Sequence, residues 1–236
     1  MPQVMKMHAE LKKPIFPHSY MFGLFVVYWF VGIFVLIYTK QGDSVLWLNT
    51  FSNDRLDSFF IVVTMLGNGI FAFLVAFVLL FKKVYYAFVM GASLIFVSLF
   101  TNILKRLVFI QHYRPLWFLY YNDLHRVVID APVNYLRSFP SGHAMTAFAV
   151  ATTLAILFRK RGLSIFFFIS ALLISWSRVY LCQHFFIDIF WGGILGFFSA
   201  SAGKLFVDMS TRFFSRDLTD LPIQKVLPVL LSRAKH

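Results

Sequence analysis

Two histidines, an aspartate, a serine–glycine pair and several cations are spaced in this chain so that they could grip and attack a phosphoryl group. His184 and Asp188 are four apart, which on a helix places them on one face, one turn from each other. The carboxylate can then accept the Nδ1 proton of the imidazole, fix its tautomer and leave Nε2 as a nucleophile. The same spacing would also suit a purely structural pair. Asp188, however, lies one turn inside an apolar segment. A charge at the centre of such a helix costs roughly 2.5 to 3.5 kcal/mol on insertion scales, so a paired carboxylate there has a reason for its position.

The second group is Pro140-Ser141-Gly142-His143 at the start of another apolar run. A helix N-terminus offers free N–H groups and the positive end of a dipole. Ser141 can cap the helix and donate a hydroxyl, and Gly142 lets the backbone approach a phosphate oxygen. His143 then stands where a general acid would protonate a departing alkoxide. The alternative is that Ser141 and Gly142 merely cap a helix. Cations complete the set: Arg114 before Pro115, Arg178 after Ser177, and the pair Lys105 and Arg106. Guanidinium forks match phosphate oxygens and would stabilise a crowded, pentavalent transition state. Whichever of Lys105 and Arg106 is spare would snorkel to the interface, while Arg126 and Arg137 read as loop solvation or lipid-headgroup contacts.

These residues need rigid elements to bring them together, and the composition says which. The chain of 236 residues is 59% hydrophobic and 19% aromatic with 14% charged residues, a balance that predicts an all-α, polytopic membrane protein. A bilayer core takes about 20 apolar residues per helix. Spans are predicted at 20–38, 59–81, 84–104, 141–158, 163–181 and 185–207, a single domain and six-helix bundle followed by a tail at 208–236. The first twenty residues are polar and basic, and the first apolar run is long enough to remain as a span. Gly67-Asn68-Gly69 inside the second span predicts close helix approach around a polar pivot, or a substrate contact at Asn68. The tail from 221 onward alternates apolar and basic residues, suiting either a surface-lying segment or disorder.

Cations set the orientation. Lys6, Lys12, Lys13, Lys82, Lys83, Arg159, Lys160, Arg161 and the basic tail share one side of a six-span chain, and the positive-inside rule makes that side cytoplasmic. Both termini are then cytoplasmic. The motif-bearing connections open together on the opposite face, the periplasm or exterior in a plasma or inner membrane. The net charge of +12 belongs to this pattern, and no basic run points to nucleic acid. Cys182 is the single cysteine, so no intrachain disulfide is possible, and it reads as small apolar filler.

Taken together the motifs resemble those of the type 2 phosphatidic acid phosphatase (PAP2) superfamily of membrane lipid phosphatases, which shares its site with vanadium haloperoxidases. That pattern has a Lys followed by Arg-Pro, then Pro-Ser-Gly-His, then Ser-Arg with five residues before His and three before Asp. The second part is complete at Pro140–His143 and the third at Ser177, Arg178, His184 and Asp188. The first part departs. Six residues normally separate Lys from Arg-Pro, whereas eight separate Lys105 from Arg114 and seven separate Arg106 from it. A bulge would let either serve, with Lys105 preferred.

The resemblance implies that Lys105, Arg114, Ser141, Gly142 and Arg178 hold phosphate, His143 is the acid, His184 the nucleophile and Asp188 its orienting partner. It implies hydrolysis through a phosphohistidine, on a phosphorylated lipid such as a polyprenyl diphosphate, phosphatidylglycerol phosphate, phosphatidic acid or lipid A. Substrate choice would reside in the 116–139 loop, with Trp117, Tyr120 and Tyr121, and in grooves between spans. No cofactor or metal is expected, because cations line the pocket and no carboxylates cluster to offer hard oxygen ligands. Phosphotransfer to a second lipid, lipid binding or transport without catalysis, and vanadate-dependent halide oxidation are the competing activities.

Overall fold

A backbone within lipid must satisfy every N–H and C=O internally, so apolar segments of this length become helices. The computed structural model describes residues 19–119, 124, 126–128, 135–210 and 220–227, and among these every regular element is helical. In chain order they are α1 (Ser19–Tyr38), α2 (Asp43–Asn49), α3 (Asp54–Met65), α4 (Gly69–Leu80) and α5 (Val84–Ile103). A π-helical turn (Leu104–Val108) extends α5 and is followed by α6 (Pro115–Leu119), α7 (Gly142–Phe158), α8 (Arg161–Tyr180) and α9 (Phe186–Ser210).

Among the described residues four helical segments are long and apolar enough to cross a bilayer: Tyr20–Tyr38, Val84–Val108, Arg161–Tyr180 and Phe186–Ser210. The predicted second span is not one straight helix. It breaks after Met65 into α3 and α4, bent by 52°, so the pair counts as one broken span or a re-entrant hairpin. The cause is local. Asn68 leaves helical geometry to cap α4, its side chain accepting from the Ile70 N–H at 3.1 Å. Helix α7, at 17 residues, falls below the length of a full span and is the most enclosed element, with nearly every side chain buried. Four long helices, one bent pair and one short central helix thus stand where six spans are predicted.

Small residues explain how α7 comes to lie at the centre. Helix α9 packs against it through Gly192 and Gly196: a methyl at Gly192 would stand 2.8 Å from the Ser141 carbonyl, and one at Gly196 would overlap the Met145 carbonyl. Further along, a methyl at Gly203 would fall 2.5 Å from the Ser93 amide on α5. Backbones that approach this closely pack well where no hydrophobic effect drives helix association. Phe148 and Phe190 fill the adjoining core, and Tyr28 of α1 bridges to the Ile189 and Phe190 carbonyls at 3.1 and 3.0 Å.

The tail is described at residues 220–227, and its remainder from 228 on lies outside the described residues. Residues 220–227 dock on the start of α5, where the Val84 amide donates to the Leu221 carbonyl at 3.0 Å, Lys83 pairs with Asp220 at 3.2 Å, and Val226 is buried. The expectations for Lys6, Lys12, Lys13, Tyr120 and Tyr121 concern positions outside the described residues.

Candidate active site

Backbone hydrogen bonds draw the motif segments to one end of the bundle. The Ser141 amide donates to the Asp188 carbonyl at 3.0 Å, which ties the start of α7 to the start of α9. Both Gln183 and His184 amides donate to the Arg178 carbonyl, at 2.9 and 3.2 Å, folding the α8–α9 turn back on itself. Ser138 donates its amide to the His112 carbonyl at 3.0 Å, and Arg114 donates to Tyr135 at 2.9 Å, so the two flanks of the long connection run side by side.

At the centre is His184, 1% exposed, with Nδ1 3.3 Å from Asp188 Oδ2. Asp188 is 2% exposed, and the same oxygen accepts the Phe185 amide at 2.9 Å. Burial holds the His184 imidazole well below its usual pKa of 6.5, and the positive charges of Arg114, Lys105, Arg178 and His143 lower it further. Those four groups come from α7, α8, the π-helical turn and the loop after it, yet all act on one imidazole. Ser141 caps α7, its hydroxyl accepting weakly from the Ala144 amide at 3.4 Å. Gly142 is open, with Thr101 Cγ2 the nearest atom to a notional methyl at 3.7 Å.

The cations are braced differently. Arg114 is buried, its Nε donating to the Leu136 carbonyl at 3.1 Å and Nη1 to the carbonyl and Oε1 of Gln183 at 3.2 and 3.0 Å. Burial lowers its pKa, which Asp188 partly offsets, although a guanidinium stays charged. Arg178 is buried too. Its Nη1 donates to Thr64 Oγ1 at 2.8 Å, while Nε has no partner among the described residues.

Lys105 and Arg106 are separated by the π-helical turn, in which the Phe109 amide reaches back to the Leu104 carbonyl at 2.7 Å. One extra residue per turn turns the Lys105 side chain inward, half-buried, and leaves Arg106 exposed. The turn lies within the stretch where the Lys-to-Arg spacing runs longer than the usual pattern.

Several contributors escape a reading of the motifs. Ser138, Gln183 and Thr64 each bond a motif residue, and Gly67 brings the α3–α4 bend against His143, where a methyl would stand 3.2 Å from His143 Cβ and Cδ2. Asn68 instead faces outward as a cap. Arg126 is not simply solvated: it pairs with Asp54 and, at 2.9 Å, with Asp57. The second Asp57 oxygen accepts from the Tyr180 hydroxyl at 2.6 Å, and Asn49 holds the Arg126 backbone at both N–H and C=O. Cys182 is buried, and burial raises its thiol to about 12, an inert packing group. Among the described residues no three His, Cys, Asp or Glu side chains gather where they could hold a metal ion.

A bundle of apolar helices with these ionisable groups gathered at one end defines an integral membrane protein. The PAP2 superfamily profile matches residues 84–212, more than half of the chain, and the chain belongs to that superfamily. Over 85 residues, 36% of this chain, it is 40% identical to the lipid A 4'-phosphatase of Bacteroides thetaiotaomicron. The chain spans about a third of the length of that curated relative, 36% of it. Two crystal structures share the fold. One is Aquifex aeolicus LpxE, at 24% identity and TM-score 0.59 over 67% of this chain and 91% of that one. The other is the transmembrane PAP2-type phosphatidylglycerolphosphate phosphatase of Bacillus subtilis, at 19% identity and TM-score 0.53 over 84% and 99%.

Proposed function

We propose that this protein is a lipid phosphatase that hydrolyses the phosphate monoester of a membrane glycolipid of the lipid A type by way of a phosphohistidine. The observation that carries the reading is the His184–Asp188 pair, sealed from solvent and ringed by Lys105, Arg114 and Arg178. Phosphate binding alone needs the cations; a buried, neutral imidazole oriented by a carboxylate is what a nucleophile needs. Membership of the PAP2 superfamily and the stretch shared with a lipid A 4'-phosphatase support the substrate class.

In the first step Lys105, Arg114 and Arg178 hold the non-bridging oxygens, with the α7 N-terminus at Ser141 and Gly142 beside them. His184 Nε2 attacks phosphorus, the P–O bond to the lipid breaks, and protonated His143 gives its proton to the leaving alkoxide. In the second step His143 takes a proton from water, the hydroxide attacks phosphorus, and the P–N bond breaks to release phosphate and free His184. The Nε of Arg178, buried and unpartnered, supplies one donor to a phosphate oxygen. The site opens on the non-cytoplasmic face, because the motif connections lie opposite the cation-rich turns at Lys82, Lys83 and Arg159–Arg161.

The test incubates purified full-length protein with lipid A, phosphatidic acid, phosphatidylglycerol phosphate and undecaprenyl diphosphate in detergent, with chelator present, and measures released phosphate. Lipid A is expected to turn over fastest, and His184→Ala to abolish release. Wild-type turnover by that variant would remove the nucleophile assignment; a different preferred lipid would remove the substrate class alone.

A further inference from the structure

From the hydrogen bonds around Asp188 we infer that Ser138 is a positioning residue for the nucleophile, a third member of the His184–Asp188 relay. The inference rests on the reading of His184 as nucleophile and extends it to a residue outside the three motif strings. Ser138 is 1% exposed, and its hydroxyl donates to Asp188 Oδ2, the oxygen that faces His184 Nδ1. Its Oγ also lies 3.4 Å from that Nδ1. The ring N–H thus has two acceptors at similar range, and both stand on the Nδ1 edge of the ring, across from Nε2.

The consequences are geometric. The imidazole–carboxylate contact of 3.3 Å is long for a charge-assisted hydrogen bond, so it does not by itself pin the carboxylate. Oδ2 is instead held by the Phe185 amide and the Ser138 hydroxyl. With its proton committed to Asp188, the serine presents a lone pair to the ring. That leaves Nδ1 no role but donor, which keeps the Nε2 lone pair directed at phosphorus. The serine is itself fixed from outside the motifs: its amide donates to the His112 carbonyl, two residues before Arg114. The same connection therefore braces the nucleophile through Ser138 and a phosphate-holding guanidinium through Arg114.

Hydrogen bonds to a charged partner are worth about 1.5 to 3 kcal/mol, and that range converts to about 10- to 160-fold in rate. Ser138→Ala is expected to lose this much kcat on lipid A in detergent micelles with KM within about threefold, because no phosphate contact is removed. Ser138→Thr keeps a hydroxyl and is expected to recover most of the loss. The deciding arm is a cycle with Asp188→Asn. If the serine acts through the carboxylate, the double variant is no slower than Asp188→Asn alone. Multiplicative losses, or wild-type kcat in Ser138→Ala, would overturn the inference. A fully active Asp188→Asn would instead strike at the nucleophile reading itself. Thermal midpoints of all four variants separate a folding defect from a lost relay, since Ser138→Thr and the double variant must be compared at equal folded fraction.

Discussion

Replacing Gly67 with alanine tests whether the bend between α3 and α4 exists to seat His143. The added methyl would stand 2.7 Å from Ile174 Cγ2 and 3.2 Å from both Cβ and Cδ2 of His143. Carbon atoms rest at about 3.5 to 4.0 Å, so the Ile174 contact is overfilled by about 1 Å and the His143 contacts by a few tenths. Ile174 is buried and belongs to the core cluster, so it yields little, and the strain passes to the bend and to the histidine. Overpacking of this kind costs about 1 to 3 kcal/mol of stability. Since a displacement of about 1 Å can cost a hundredfold in rate, a few tenths at the general acid is expected to lower kcat by about 3- to 10-fold.

The substrate decides how much of that loss appears. In the proposed mechanism a monoester such as lipid A releases an alkoxide that takes its proton from His143. Farnesyl diphosphate releases a phosphate, which leans on the acid far less. Steady-state phosphate release by Gly67→Ala is therefore expected to fall more on lipid A than on the diphosphate. Gly69→Ala is the control, because nothing lies within 4 Å of a methyl there. Equal losses on both substrates, or equal behaviour of the two alanine variants, would refute the argument that the bend positions the acid.

Three other outcomes are expected. Gly196→Ala drives a methyl into the Met145 carbonyl at the α7–α9 contact, and should lower the thermal midpoint in detergent by more than Gly162→Ala, which meets no neighbour. Arg126→Ala leaves Asp57, 6% exposed, with only the Tyr180 hydroxyl among its side-chain partners described above. A rise in KM with little change in kcat, measured on lipid A, is expected as the connection loosens at the rim. The third concerns pH. His184 is held well below 6.5 in the folded chain, so between that depressed value and about 6.5 the unfolded chain binds the extra proton. Stability from this residue is intact above about pH 6.5 and lost as pH falls below it. The midpoint of wild-type protein should fall more steeply from pH 7 to pH 5 than that of His184→Gln, and parallel slopes would show that the imidazole is not buried neutral.

How much of this was legible in the sequence depends on whether a signal is local. The apolar runs located each long helix to within a few residues, and the motifs at 140–143 and 177–188 fixed which ends must converge. Lys105 was readable only as one of two possibilities, because a π-helical turn changes which side chain faces inward without changing composition. The run at 59–81 is apolar throughout, so its length concealed a break that only Gly67-Asn68-Gly69 hinted at. Ser138 and Gln183 carry a weak signal, a polar residue beside a motif residue, but their meaning lies in partners brought close by tertiary structure. For Arg126 no local signal existed: Asn49, Asp54, Asp57 and Tyr180 are scattered over three elements.

The irregular features of the backbone are not distributed at random. Non-helical or distorted backbone at membrane depth is tolerated where it is enclosed by protein or lines a cavity. Here the two departures within the long apolar segments both touch the same site: the π-helical turn carries Lys105, and the α3–α4 bend places Gly67 on His143 just beyond Thr64, which holds Arg178. Thr64 is seven residues past Asp57, about 10 Å along a helix from the rim contact with Tyr180. The arginine thus reaches inward from its own helix end to a point well below the Asp57–Tyr180 contact. Under the proposed function, a phosphate at Arg178 would be recessed, and a lipid would present it without its acyl chains leaving the bilayer. Straightening either irregular segment would restore regular helix hydrogen bonding and move Lys105 or the wall against His143 away from the groups gathered around His184.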